Sequence, residues 1–242
     1  MDERQINEDW EREARNWIAW ARTPGHDVYW RYRGAFFDLL PPPGRATLEI
    51  GCGEGRVARD LAARGHHVTG VDAAPTLLEA ARDAGGAGDF LLADAAALPF
   101  PDGSFDLVVA YNSLMDMHDM PGAVREAHRV LEPGGRLGVC VTHPVSDAGQ
   151  FVSGEPDAEF VIECSYFGRR RFEGTFERNR LTMTFRGWSY SLEEYARALE
   201  TAGFRIETVR EPPLPREDGQ DDPADDRWRR LPMFLMLRAI KP

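Results

Sequence analysis

The sequence predicts an α/β protein built on a doubly wound, mostly parallel sheet. A short apolar run, Thr47–Ile50, enters three alternating glycines, and a helical pattern begins directly after them at Arg56. Strand, tight turn and helix in that order are typical of the first unit of such a sheet. Residues 104–110 form a nearly continuous apolar run, which favours a parallel strand covered on both faces.

Length, cysteines and charge limit the class of protein. The 242 residues fit one large domain, or one domain with a substantial insertion. Cys52, Cys140 and Cys164 are widely spaced and form no CxxC pair, which favours a reducing compartment. A net charge of −11 would repel a phosphate backbone, and no apolar run approaches the roughly 18 residues that span a bilayer. We therefore expect a cytoplasmic monomer or homodimer that binds neither nucleic acid nor membrane.

The glycine cluster Gly51-x-Gly53-x-Gly55 is the most informative motif. Glycines permit positive φ and let a ligand approach the main chain, while the free N–H groups of the next helix attract negative charge. A dinucleotide loop needs a small residue at the sixth position, which is Arg56 here. No Gly-Lys-Ser/Thr follows, which excludes a Walker loop. The alternative to a cofactor loop is a glycine-rich turn with no ligand.

Five elements in order, namely the glycine loop, Asp72, Asp94, the loop after the fourth strand and a Pro-Gly-Gly turn, resemble the class I S-adenosylmethionine (SAM)-dependent methyltransferases, among them the small-molecule enzymes of the type 11/25 kind. Glu49 and the glycines match motif I, written E/D-x-G-x-G-x-G, and Asp72 matches the acidic residue of motif II. Asp94 opens a D-A-x-x-L-P-F segment, and residues 129–137 read R-V-L-x-P-G-G-x-L. The resemblance covers residues 46–142 well, the C-terminal strands moderately, and the remainder weakly.

The resemblance implies a Rossmann-like, doubly wound seven-stranded sheet with an antiparallel last strand. It divides the chain into an N-terminal helical cap (1–44), a SAM-binding core (45–144), a substrate-covering insertion between strand 5 and the following helix (145–190), and the C-terminal part of the core (191–242). Within the insertion we expect two short strands, at residues 160–164 and 181–185, flanking an arginine-rich segment.

SAM is the cofactor that the resemblance implies. Asp72, placed where nucleotide-binding folds hold ribose hydroxyls, either binds the sugar or caps the next helix. Asp94 is expected to bind adenine together with the following amide. Arg33, in the N-terminal region, either reaches the cofactor carboxylate or lies on a solvated face. The cofactor-binding candidates are Glu49, Gly51, Cys52, Gly53, Gly55, Asp72, Ala73, Asp94, Ala95, Tyr111 and Arg33.

Methyl transfer from a sulfonium depends mainly on positioning and desolvation, so few side chains need to react. A general base is required only when the acceptor must lose a proton. His143, after the fifth strand, and His118, after the fourth, are the catalytic candidates, with Tyr190 or Tyr166 orienting the acceptor. For His143 the alternative is that the ring fixes its loop.

The resemblance therefore implies an enzyme, a SAM-dependent methyltransferase acting on the O, N or C nucleophile of a small molecule, in specialised metabolism or on a quinone-type substrate. Aromatic and Met side chains near the expected pocket favour a small acceptor. The alternatives are a methyltransferase-fold protein that binds SAM without transfer, as a regulator or repurposed cyclase, and an NAD-dependent oxidoreductase. Asp116, His118 and Asp119 are too crowded for a metal cage, so no metal is expected.

Overall fold

A computed structural model describes residues 5–216 and 223–242. Its strands are β1 (Thr47–Ile50), β2 (Val68–Asp72), β3 (Asp89–Leu92), β4 (Phe105–Tyr111), β5 (Leu131–Thr142), β6 (Gly149–Phe151), β7 (Phe160–Ile162), β8 (Arg170–Arg178), β9 (Leu181–Ser189), β10 (Arg205–Arg210) and β11 (Phe234–Ile240). Its α-helices are α1 (Gln5–Arg22), α2 (Tyr29–Leu39), α3 (Arg56–Ala62), α4 (Pro75–Ala84), α5 (Met120–Val130) and α6 (Leu192–Ala202). Short 3-10 turns cover Leu114–Asp116, Ser146–Ala148 and Pro223–Arg229.

Seven strands form one sheet in the order β10-β11-β5-β4-β1-β2-β3. The pairs formed among β1, β2, β3, β4 and β5 are parallel, whereas β11 runs antiparallel to both of its neighbours. The predicted fold class is confirmed, including the antiparallel last strand. Because parallel strands end at the same edge, the segments after β1, β2, β3 and β4 meet there.

The sheet is covered on both faces, as the apolar run of β4 predicts. Successive side chains of a strand point to opposite faces. Val108 packs in the cluster that includes α5 and α6, and Val109 packs in the cluster that includes α2 and α3. Both are fully buried. Burying a side chain of this kind contributes roughly 1.5–3 kcal/mol, so the covered sheet is a rigid support for the loops at its edge.

The insertion is built differently from the expectation. The arginine-rich segment is itself a strand, β8, and it pairs antiparallel with β9 along nine residue pairs from Arg170↔Ser189 to Arg178↔Leu181. The expected strand at 160–164 pairs instead with β6. Both expected strands are therefore present, as β7 and β9, and each is paired in a hairpin of its own. The heads of two of these arginines are held by the protein, since Arg170 donates to the Asp147 carbonyl and Arg171 pairs with Asp9.

Helix α1 lies against the β8–β9 hairpin. The Trp17 and Trp20 rings each meet the Phe185 ring edge-on, with centroids 6.0 Å apart. Asp9 pairs with Arg171 at 3.1 Å, between Oδ2 and a guanidinium nitrogen. Helix and hairpin together cover the sheet edge where β1 and β4 end. Among the described helices, none combines the length and the apolar character needed to cross a membrane.

Candidate active site

A cavity of about 1070 Å³ lies at the carboxyl edge of the sheet. Its walls come from the segments after β1, β2, β3, β4 and β5, from α1, and from both hairpins of the insertion. Open α/β sheets bind ligands in this crevice. The cavity therefore joins the predicted cofactor loop to the predicted substrate cover.

The glycine loop is held in a conformation that favours glycine. Gly51, Gly53 and Gly55 have φ of 69°, 56° and 83°. A Cβ at Gly51 would lie 2.5 Å from the Cβ of Ser113, so the loop after β4 closes directly on the turn. Gly51 and Gly53 line the cavity, whereas Gly55 lies outside the lining, as the N-cap of α3.

Asp72 fastens the glycine loop to the end of β2. Its carboxylate accepts a hydrogen bond from the Gly53 N–H at 2.7 Å and another from the Ala74 N–H at 2.9 Å. Burial raises the pKa of this carboxyl, and the backbone hydrogen bonds act in the opposite direction. Asp72 and Ala73 both line the cavity. The two readings of Asp72 are thus compatible, since it is bonded to the start of α4 and also reaches the pocket.

Glu49 presents a buried carboxyl group to the cavity. Glu49 is 2% exposed and lines the cavity, and its Oε2 forms no hydrogen bond with any described residue. Burial, with Asp72 and Glu54 nearby, raises the pKa of Glu49 well above its usual range. Glu54, in contrast, is paired with Arg22 and Arg59, each at 2.8 Å. Because buried polar groups are normally hydrogen-bonded, the free Glu49 oxygen suits a donor on a ligand.

Asp94 and Ala95 also line the cavity, beyond the end of β3. The Asp94 side chain is 43% exposed, and its Oδ1 accepts the Ala96 N–H at 2.9 Å. Its Oδ2 lies 3.8 Å from Nε2 of His118. The predicted adenine-binding segment is thus close to one of the two predicted catalytic histidines.

Cys52 and Tyr111 complete the predicted set on the lining. Both are buried, and burial raises the pKa of each side chain well above its usual range. The Tyr111 hydroxyl has no hydrogen-bond partner among the described residues. Its ring meets that of Tyr29 edge-on, with centroids 5.3 Å apart. Tyr111 is therefore fixed in the cavity wall by packing.

The structure puts a different arginine on the cavity from the one expected. Arg33 is not among the lining residues, and its guanidinium pairs with Asp60 at 2.9 Å. Arg56 does line the cavity, pairs with Asp27 at 2.7 Å, and lies over the Tyr29 ring at 4.2 Å. The sequence contained a signal for this role, because Arg56 occupies the position of the glycine loop where a dinucleotide-binding motif has a small residue.

His143 does not line the cavity. It is 5% exposed, its Nε2 lies 2.8 Å from Oε1 of Glu211, and its Nδ1 accepts the Val145 N–H at 3.2 Å. Both ring nitrogens are therefore engaged, which matches the alternative in which the ring fixes its loop. The expected catalytic role of His143 does not fit this placement. His118 is half-buried and does line the cavity.

The expected orienting tyrosines also lie outside the lining. Tyr190 is buried with its ring 5.5 Å from that of Tyr195. The Tyr166 hydroxyl accepts the Leu192 N–H at 3.2 Å. Two acidic residues that the sequence did not single out for catalysis, Asp116 and Asp147, are on the lining instead.

The loop after β4 contains no metal cage of the kind its acidic residues suggest. Asp119 is the N-cap of α5 and accepts the Gly122 N–H at 2.9 Å. Across residues 5–216 and 223–242, no three His, Cys, Asp or Glu side chains are grouped so that they could hold a metal ion.

The strand order, the glycine turn and the acidic strand ends around one cavity define the class I methyltransferase fold. Residues 48–139 match the family model described as a methyltransferase domain. This segment is therefore a methyltransferase domain, and the resemblance drawn from the sequence is confirmed.

Individual relatives agree with the family match. A demethylmenaquinone methyltransferase from Thermus thermophilus is 41% identical over 133 residues, which cover 52% of this chain and 60% of that protein. A 27-O-demethylrifamycin SV methyltransferase from Amycolatopsis mediterranei is 44% identical over 101 residues, 39% of this chain and 37% of the relative. The chain spans about half the length of the curated relatives it matches.

A solved structure is similar over most of the chain. The SAM-dependent methyltransferase from Mesorhizobium loti is 25% identical, with a TM-score of 0.70, over 88% of this chain and 98% of that one. The expected enzyme class and the expected cofactor, SAM, agree with this neighbour and with the family match.

Proposed function

We propose that this chain transfers a methyl group from SAM to a small-molecule acceptor bound under the insertion. The observation that carries the proposal is the carboxyl edge of β1 and β2, where the glycine turn, Asp72 and Glu49, whose Oε2 has no partner in the part of the chain that the structure describes, line one cavity. At such a surface, a cationic nucleoside can bind to carboxylates and approach the main chain closely. The family match and the fold neighbour support the same assignment.

The residues present fit SAM. Glu49 supplies a free acceptor, Asp72 a carboxylate already oriented by two backbone N–H groups, and Asp94 a half-exposed acid beyond β3. When bound, SAM supplies a methyl group on a sulfonium whose leaving thioether is neutral. The protein then needs chiefly to bind, to orient and to exclude water. Helix α1 and β9, which meet through Trp17 and Phe185, close the cavity over that region.

The size and lining of the cavity favour a small organic acceptor. Ligand pockets are commonly about 300–1,000 Å³, so a cavity of about 1070 Å³ leaves room beside a cofactor. The insertion end is lined by aromatic side chains, namely Phe151, Phe172, Phe176, Phe185, Trp188 and Trp228. We propose an apolar or aromatic acceptor, and the similarity to a rifamycin methyltransferase favours specialised metabolism.

Incubation with methyl-labelled SAM and fractionated small-molecule extract tests this function. The expected result is label in a low-molecular-weight product that requires the protein and disappears with excess S-adenosylhomocysteine. Tight binding of S-adenosylhomocysteine without any labelled product would support the alternative, a SAM-binding protein that does not transfer methyl. Binding of NAD in place of S-adenosylhomocysteine would overturn both.

A further inference from the structure

We propose that the acceptor is an apolar or aromatic amine, which enters as an ammonium between Asp116 and Asp147 and gives one proton to Asp116. The inference rests on the proposed function, because it assigns the acceptor half of the same cavity. It names a chemical class of substrate and a catalytic residue, Asp116, that the sequence did not single out for catalysis.

Asp116 lies where the cofactor end meets the insertion. It ends the 3-10 turn Leu114–Asp116 that follows β4. At the start of this turn, Ser113 packs so closely on Gly51 that a Cβ there would come within 2.5 Å. At its end, Oδ1 of Asp116 would lie 2.5 Å from a Cβ at Gly187 of β9. One short turn thus touches both the glycine loop and the substrate cover.

Neither carboxylate is held directly by another side chain of the described residues. Among the described residues, no hydrogen bond or ion pair is formed by the side chain of Asp116 or Asp147, and both residues line the cavity. Arg170 is near Asp147, yet it donates to the main-chain carbonyl of that residue and to the Ser189 hydroxyl at 3.1 Å. Arg186 is directed to Glu173, at 3.3 Å, and to Glu13, at 3.5 Å.

Two unpaired acids in a covered cavity are unfavourable without a ligand. Burial is the main cause that raises the pKa of Asp116, and the nearby Asp147 and Asp72 add to it. Burial likewise raises the pKa of Asp147 to about 7, although the nearby positive charge of Arg170 acts in the opposite direction. A cation between the two carboxylates would relieve this penalty.

An ammonium suits this end of the cavity better than a hydroxyl. It carries several N–H donors and a positive charge, so it can satisfy two carboxylates, whereas a hydroxyl donates one hydrogen bond. Aromatic side chains on the same lining would cover the apolar body of the ligand. Trp188 lies on this lining, next in sequence to Gly187.

The proton step uses only protein and acceptor atoms. An N–H bond of the ammonium breaks, its proton forms an O–H bond with Asp116, and the electron pair stays on nitrogen as a lone pair. A carboxylate with raised proton affinity performs this transfer near neutral pH better than an ordinary surface Asp. Asp147 remains as the charged partner that holds the amine in place.

Calorimetric titration of the full chain, saturated with S-adenosylhomocysteine, tests the proposal. Tryptamine is compared with tryptophol, and phenethylamine with 2-phenylethanol, because each pair differs mainly in amine against hydroxyl. We expect each amine to bind at least about tenfold more tightly than its alcohol. Asp116→Asn and Asp147→Asn should each remove most of that preference, while Asp157→Asn, an exposed acid of the insertion, should retain it.

The outcomes separate this proposal from the function on which it rests. If S-adenosylhomocysteine binds but the amines bind no better than the alcohols, or the preference persists in both Asp116→Asn and Asp147→Asn, the amine proposal fails and the proposed function stands. If S-adenosylhomocysteine does not bind, the proposed function fails first. Unchanged S-adenosylhomocysteine affinity in the variants shows that they are folded, and either variant alone suffices if the other does not fold.

Discussion

The glycine end and the insertion end of the cavity form their binding sites in different ways. At the glycine end, conformation and backbone hydrogen bonds fix the site, since Gly51 has a positive φ and the Asp72 carboxylate accepts two main-chain N–H groups. At the insertion end, Asp116 and Asp147 line the cavity, and their carboxylates form no hydrogen bond or ion pair with residues 5–216 and 223–242. The first end is preformed by the main chain, whereas the second is completed by what binds there. Substitutions should therefore act through backbone shape at one end and through charge at the other.

Replacing Gly51 should have the largest effect. In Gly51→Ala, the added Cβ would meet Ser113 at 2.5 Å in a left-handed conformation with φ of 69°. We expect loss of measurable S-adenosylhomocysteine binding in calorimetry, because the turn and the loop after β4 must separate. Gly25→Ala is the matched control, since φ is 68° there but nothing lies within 4 Å of the added Cβ. Equal binding by Gly51→Ala and wild type would show that the turn is not the cofactor site.

Removing the Asp72 carboxylate should have the next largest effect. Asp72→Ala loses the group that ties Gly53 to the end of β2 and that we assign to the ribose. The expected cost is about 1.5–3 kcal/mol of binding free energy, which is roughly 10- to 150-fold in the Kd for S-adenosylhomocysteine. Asp83→Ala, an exposed acid on α4, serves as control. An unchanged Kd in Asp72→Ala would refute the ribose assignment.

The two arginines give a sharper test of which side chains reach the cofactor. Arg56→Gln removes a guanidinium that lines the cavity, and we expect the Kd for S-adenosylhomocysteine to rise by about tenfold. Arg33→Gln should leave it unchanged, because Arg33 is paired with Asp60 away from the lining. The reverse pattern would restore the role expected for Arg33 from the sequence.

The smallest effect concerns stability at the insertion end. The pKa of Asp147 is raised to about 7, above roughly 3.9 in an unfolded chain, so the stability linked to this group is full below pH 4 and is lost as pH rises through about 7. Asp147→Asn should remove this loss of stability at high pH, because the amide does not ionise. We expect a Tm a few degrees above wild type at pH 8 and little difference at pH 4, measured by thermal unfolding. A variant less stable at pH 8 would mean that the carboxylate has a partner.

The glycine end was predictable because its signals are local in sequence. Three glycines follow an apolar run, and an acidic residue ends the next strand. These signals predict a tight turn with positive φ and an acid beside it, and distant residues do not change that prediction. The roles expected for His143 and Arg33 do not fit the structure for the opposite reason. Their side chains are held by Glu211 and Asp60, and tertiary packing decides which residues meet in this way.

The insertion was less predictable still. The role of Arg170–Arg178 as a strand follows from its pairing with β9 across the two-residue turn Asn179-Arg180, where both residues have positive φ. The position of Asp116 beside Gly187 depends on contact between segments far apart in the chain. Sequence reasoning therefore located the cofactor end and the existence of a cover, but not the side chains that the cover brings to the acceptor.

Calorimetric titration of the wild-type chain with S-adenosylhomocysteine, alongside NAD, tests the central claim most directly. The glycine turn and the acids at the ends of β1 and β2 predict saturable binding of S-adenosylhomocysteine at one site per chain and none of NAD. Binding of NAD alone, or of neither ligand, would contradict the account.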